Sequence, residues 1–179
     1  LEKFARLVDY GASLYDSQAE TDDFVRDLDA VILGYEGPDS QVHTRGYRKP
    51  GSRYWLGENA FKGRGTWRDT YWDGTNNQMF HFWYYVAVEY FEGDIVANAA
   101  NICHESPLTI GPCGGGGVSI QDYNLSLAGM DLGHHLWVYS HQNQFPHYLP
   151  YPAFLNCIWQ PIAPGGVGDW IRHHLGQNP

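Results

Sequence analysis

Asn76-Asn77-Gln78-Met79-Phe80-His81-Phe82-Trp83-Tyr84-Tyr85-Val86-Ala87-Val88 is the stretch that decides the fold. From Met79 to Val88 it leaves no polar face, and a helix apolar all round has to be covered on every side. The run is also far shorter than the roughly 20 apolar residues that cross a bilayer. It therefore predicts a buried central helix, around which the other segments must pack.

The flanking sequence supplies those segments. Leu1, Phe4, Leu7, Val8, Gly11 and Leu14 recur at helical spacing and predict a first amphipathic helix ending near Tyr15. Thr21 caps a second, with Asp22 and Asp23 in its first turn and an apolar stripe of Phe24, Val25, Leu28, Val31, Ile32 and Tyr35 that runs to a Gly37-Pro38 stop. Beyond Gly93, Ile95, Val96, Ala97, Ala99, Ala100 and Ile102 predict a helix ending at His104-Glu105, before Pro107. Gly114 to Gly117 form a bridge, and Ser119 with Asp122 matches a capping box opening a long helix. Gly129 and Gly133 give that helix a smooth face suited to close packing on the central one. The proline-rich remainder, from Pro146 to Pro179, wraps the surface and adds a short helix near 168–175.

Residues 37–75 lack periodicity and are punctuated by Gly46, Gly51, Gly57, Gly63, Gly65 and Gly74. This predicts a long irregular loop or small sheet, an insert long enough to build a binding surface. The expected fold is α+β, mainly α, with residues 1–179 as a single catalytic domain.

The chain's 179 residues suffice for one core. Its net charge of −9 repels phosphate backbones and anionic membrane surfaces, which argues against nucleic-acid and membrane partners. Only 17% of residues are charged while 16% are aromatic, a balance that suits a secreted carbohydrate-active protein whose Trp and Tyr rings pack on sugar faces; a monomer is expected. Cys103, Cys113 and Cys157 are too few for a zinc framework, and a Cys103–Cys113 bridge is expected. Asn124-Leu125-Ser126 is a glycosylation sequon inside a helical pattern.

Glu36 is the most informative acid. It follows an apolar stripe and precedes Gly37-Pro38, so both the negative helix end and burial beside Tyr35 would raise its proton affinity, as a general acid requires. Asp39, Asp69 and Asp73 are available as a second carboxylate, with Asp73 of Trp72-Asp73-Gly74 favoured. Asn77 and His81, four apart, share one helical face beside it, and His81 is a candidate proton-transfer group. Tyr54, Trp55 and Trp72 are candidate sugar platforms, and Asp39 and Asn77 candidate substrate ligands. His104-Glu105 lacks the second His of a metallopeptidase helix, His134-His135 and His173-His174 diverge as adjacent helical positions, and no Gly-x-Ser-x-Gly elbow occurs. No metal ligand and no cofactor is indicated.

Val31-Ile32-Leu33-Gly34-Tyr35-Glu36-Gly37 resembles the junction at which lysozyme-like proteins place their catalytic Glu between a helix and an irregular lobe. The acidic, aromatic-rich chain is similar to the fungal muramidases of glycoside hydrolase family 184. That resemblance implies a lysozyme-like fold and hydrolysis of the N-acetylmuramic acid to N-acetylglucosamine bond of bacterial peptidoglycan. No Asp and Thr follow Glu36 at the close spacing of phage-type lysozymes, which leaves the second carboxylate open. Two alternatives remain. One is a non-catalytic secreted effector or carbohydrate-binding domain; the other is a hydrolase or toxin centred on His81, which would need that ring exposed in a pocket.

Overall fold

The computed structural model describes residues 1–34, 54–57, 60–61, 63–105, 119–142 and 160–177. Among these residues the protein is mainly helical, with six α-helices: α1 (Glu2–Ala12), α2 (Thr21–Ile32), α3 (Gln78–Glu92), α4 (Asp94–Glu105), α5 (Ile120–His141) and α6 (Val167–Leu175). No strand occurs among them; in the part of 37–75 that is described, where an irregular loop or small sheet is expected, there is one isolated bridge, Trp67 to Gly176, and residues 37–53, 58–59 and 62 lie outside the described residues.

The apolar run forms the centre. Every residue of α3 from Gln78 to Tyr90 is buried, and α2, α4 and α5 all pack on it. Full burial of side chains such as Phe82, Trp83, Tyr85 and Val86 contributes roughly 1.5–3 kcal/mol each. Phe4, Phe24, Phe82 and Trp83 meet edge to face, the arrangement that sets a ring's positive rim against its neighbour's negative face. Trp83 Nε1 donates to Asp29 Oδ1 at 2.9 Å, which satisfies a buried carboxylate and ties α2 to the centre. On the other side Trp170 of α6 stacks on Phe82.

The glycines of α5 carry the closest contact. A Cβ on Gly129 would come within 2.5 Å of the Phe82 carbonyl oxygen, and one on Gly133 within 2.5 Å of that of Val86. The contacts advance together along both helices, so α3 and α5 run in the same direction, with α4 returning the chain between them. The expected packing of the smooth glycine face on the central helix is what the structure contains.

Two helix ends differ from expectation. Thr21 is the first residue of α2 and not its cap; the start is organised by a capping box of Ser17 and Glu20 around a preceding 3₁₀ turn, Gln18–Glu20. At the other end α2 stops at Ile32 and does not run on to Glu36. Gly34 adopts φ +77°, a conformation side chains rarely take, and the Trp55 ring lies where its Cβ would be. Leu56 N–H donates to the Val31 carbonyl at 3.0 Å, so a tertiary contact takes up a terminal helix acceptor. The helix-end argument for Glu36 loses its basis, because three residues, Leu33, Gly34 and Tyr35, separate it from the last helical one. The first helix also ends earlier than expected, at Ala12, and the Tyr15 hydroxyl instead donates to Asp27 of α2.

Candidate functional site

Gln78, His81, Tyr85 and Glu89 are spaced by three or four and therefore form one stripe of α3. It faces α5, since a Cβ on Gly129 would meet Tyr85 Cβ and one on Gly133 would meet Glu89 Cβ. The glycines thus close the middle of the seam and leave a polar group at each end.

At the first end, the loop before α3 delivers Asp73 and the first turn of α5 delivers Asp122. Asp73 is half-buried, and its Oδ1 accepts from Thr75 N at 2.8 Å, Thr75 Oγ1 at 2.7 Å and the Gln78 side-chain amide. Asp122 is only 9% exposed, and its Oδ1 has no hydrogen-bond partner. Burial, followed by the negative charge of Asp73 and a hydrogen bond between the two carboxyls, pushes Asp122 up to about 6. Three donors converge on Asp73, which leaves the shared proton to Asp122. The result is a carboxyl pair able to give up one proton just below neutral pH.

His81 lies behind the pair and is 4% exposed. Its Nε2 is 3.0 Å from the Asp122 carbonyl and 2.6 Å from Ser126 Oγ, which itself donates to that carbonyl at 2.8 Å. A carbonyl can only accept, so Nε2 carries the hydrogen. Burial lowers the ring to about 4, the Asp122 carbonyl opposes that shift, and His104 of α4 adds to it. At neutral pH the ring is an uncharged bridge between α3 and α5. The exposed pocket that a His81-centred reaction would need is not its setting.

Asn77 is exposed at the mouth of this cluster, with its side-chain amide against Thr75 Oγ1 and its carbonyl accepting from His81 N at 2.9 Å. Trp72 is half-buried against the core. Of the residues singled out from sequence, the structure thus brings together Asp73, Asn77 and His81. Asp69 is exposed and pairs with Arg64 instead. Tyr54 lines a different cleft of about 320 Å³ between α1 and α2, with Tyr10, Leu14, Tyr15 and Asp27, and Trp55 packs over Gly34. Glu36 and Asp39 lie outside the described residues.

Sequence reasoning missed Asp122 and Ser126 as site residues, whereas Gln78, which the sequence groups with Asn76, Asn77 and His81 beside Asp73, does reach that carboxylate. Asp122 and Ser126 are four apart on a helix, and Gln78 and His81 three apart, so each couple shares a face. The signal was masked because Asp122 already had a local role: its backbone N–H donates to Ser119 Oγ at 3.1 Å. Cys103 is disulfide-bonded, and the chain's other cysteines, Cys113 and Cys157, lie outside the described residues. Compared with known proteins, the chain matches no family model, no curated protein and no solved structure.

Proposed function

We propose that the chain is a secreted muramidase, a glycoside hydrolase of the α+β, lysozyme-like class that cleaves the glycan strands of bacterial peptidoglycan. The observation that carries the reading is the Asp73–Asp122 pair, in which one carboxyl keeps its proton up to about pH 6. Glycoside cleavage needs such a donor for the leaving oxygen, and a second carboxylate about 5 Å or more away. Two carboxyls that share a hydrogen bond are too close to fill both roles. The pair therefore acts as one donor, so the role of acid expected of Glu36 passes to Asp122, and Glu36, which lies outside the described residues, is assigned the second carboxylate on the sequence alone, as nucleophile or as base toward water. Asn77, exposed at the mouth of the cluster, offers an amide for acetamido groups, and Trp72, next to Asp73 in the chain and half-buried, is the candidate sugar platform. The disulfide at Cys103 supports an oxidising compartment.

Purified peptidoglycan, incubated with wild type, Asp122→Asn and Glu36→Gln, tests this by mass spectrometry of released fragments. Wild type should release muropeptides with reducing N-acetylmuramic acid ends. Each variant should lose about 10²- to 10⁴-fold in rate while keeping its helical circular dichroism.

A second reading, a carbohydrate-binding domain without turnover, is favoured by one observation. Asp73 is satisfied by its own neighbours, Thr75 and Gln78, as a purely structural carboxylate would be. Saturable binding of peptidoglycan with no fragments released at any pH would select it.

A further inference from the structure

We propose that Glu89, Asp94 and His134, at the other end of the α3–α5 seam, form a binding site for a divalent transition-metal cation, zinc(II) foremost. Glu89 lies in the last turn of α3 and Asp94 in the first turn of α4, separated by a tight turn in which Gly93 takes φ +79°. His134 comes from α5. One ligand atom from each, a carboxylate oxygen from the two acids and a ring nitrogen from the histidine, lie within 4.8 Å of one another.

Three features favour a cation over an ordinary polar contact. His134 Nδ1 stands 3.4 Å from Glu89 Oε1. Ligands at about 2.0–2.1 Å from a tetrahedral zinc are separated by roughly 3.4 Å along an edge, and the separation of these two matches it. Glu89 is 3% exposed, its Oε2 has no hydrogen-bond partner, and burial together with the adjacent Asp94 carboxyl raises its proton affinity, so two acids are brought together here. A buried carboxylate oxygen left in that state is costly unless something positive completes it. Asp94 is exposed, which gives an ion a route from solvent and leaves a further coordination position for water.

The donor set decides the class of ion. Calcium and magnesium take oxygen ligands, whereas one imidazole with two carboxylates suits zinc(II), cobalt(II), manganese(II) or iron(II). With their protons displaced by the ion, the two carboxyls and one imidazole would offer two negative charges to a dication. The fold builds the approach deliberately: Gly133 has no side chain where a Cβ would meet Glu89 Cβ at 2.8 Å, and this is what lets its neighbour His134 reach the carboxylate. His135 turns away, to Asp131 and the Gln160 carbonyl. Eight residues of helix separate Glu89 from His81, about 12 Å along α3, so the ion would stand apart from the Asp73–Asp122 pair.

Tag-free full-length protein, stripped with chelator, is titrated with zinc(II) by calorimetry and with cobalt(II) by visible absorption. One equivalent of zinc(II) should bind at micromolar or tighter affinity and raise the melting temperature. Asp94→Asn, an exposed change that leaves the core intact, and His134→Gln should each weaken binding about tenfold or more. The cobalt(II) band should change in His134→Gln, because a nitrogen ligand is lost. Absence of stoichiometric zinc(II) binding by wild type would overturn the proposal. So would binding whose affinity and cobalt(II) spectrum are the same in both variants as in wild type.

Discussion

At the scale of single residues, Asp122 and His81 pull the acid response of the protein in opposite directions. Asp122 holds its proton more tightly folded than unfolded, so its stabilising contribution is complete below 3.8 and is lost as pH rises through about 6. His81 is displaced downward from 6.5, so its contribution is complete above 6.5 and is lost as pH falls through about 4. In wild type the two largely offset each other across pH 4 to 6. For Asp122 the ceiling is about 3 kcal/mol, which solvent screening reduces to about 1 kcal/mol. Asp122→Asn removes one arm. It should be about 1 kcal/mol more stable than wild type at pH 7 and should lose that advantage on acidification. Urea midpoints at pH 4, 5.5 and 7 check this, and a difference that does not vary with pH would contradict the assignment. The carboxyl pair was hidden in the sequence by distance: 49 positions separate Asp73 from Asp122, and no local periodicity links them. His134 was hidden in the same way, 45 positions from Glu89, although Glu89 and Asp94 flank a single turn.

At the scale of elements, the glycine seam sets how closely α3 and α5 approach. Gly133→Ala would drive a methyl to 2.5 Å from the Val86 carbonyl, and Gly129→Ala to 2.5 Å from that of Phe82. Overpacking of this kind costs about 1–3 kcal/mol, against at most about 1 kcal/mol gained from alanine's helix propensity. Each variant should therefore lose on the order of 1–2 kcal/mol by urea unfolding. Gly165→Ala, whose Cβ would meet nothing within 4 Å, should be neutral. These glycines were legible as a packing face, and α3 as a buried helix, because both follow from composition along one helix. The end of α2 was not. Its apolar stripe continues through Leu33 and Tyr35, but Gly34 turns at positive φ beneath Trp55 and Leu56 takes a terminal carbonyl. Those partners lie some twenty residues on, beyond the reach of a periodicity argument.

At the scale of the whole molecule, the described helices share one hydrophobic cluster, from Phe4 of α1 to Leu175 of α6. No described helix is long and apolar enough to cross a membrane. Two distant segments are held to this body by backbone pairing, since Arg68 N donates to the Leu175 carbonyl and Gln177 N to that of Thr66. The disulfide at Cys103 adds a covalent constraint near the end of α4. If its partner is Cys113, as the sequence suggests, the short loop is worth about 2–3 kcal/mol. Reductant should then lower the melting temperature, and non-reducing peptide mapping should recover the 103–113 link; a link to Cys157 would instead bind α4 to a far segment of the chain.

The account's central claim is that a shared carboxyl proton drives glycan cleavage, and the pH dependence of peptidoglycan hydrolysis tests it most directly. A general acid works only while protonated, so wild-type kcat/KM should fall on the alkaline side with a midpoint near the Asp122 value of about 6. In Asp122→Asn the residual rate should be about 10²- to 10⁴-fold lower and the limb should disappear. A wild type that releases no muropeptide between pH 4 and 8, or an Asp122→Asn variant with the rate and alkaline limb of wild type, would contradict the claim.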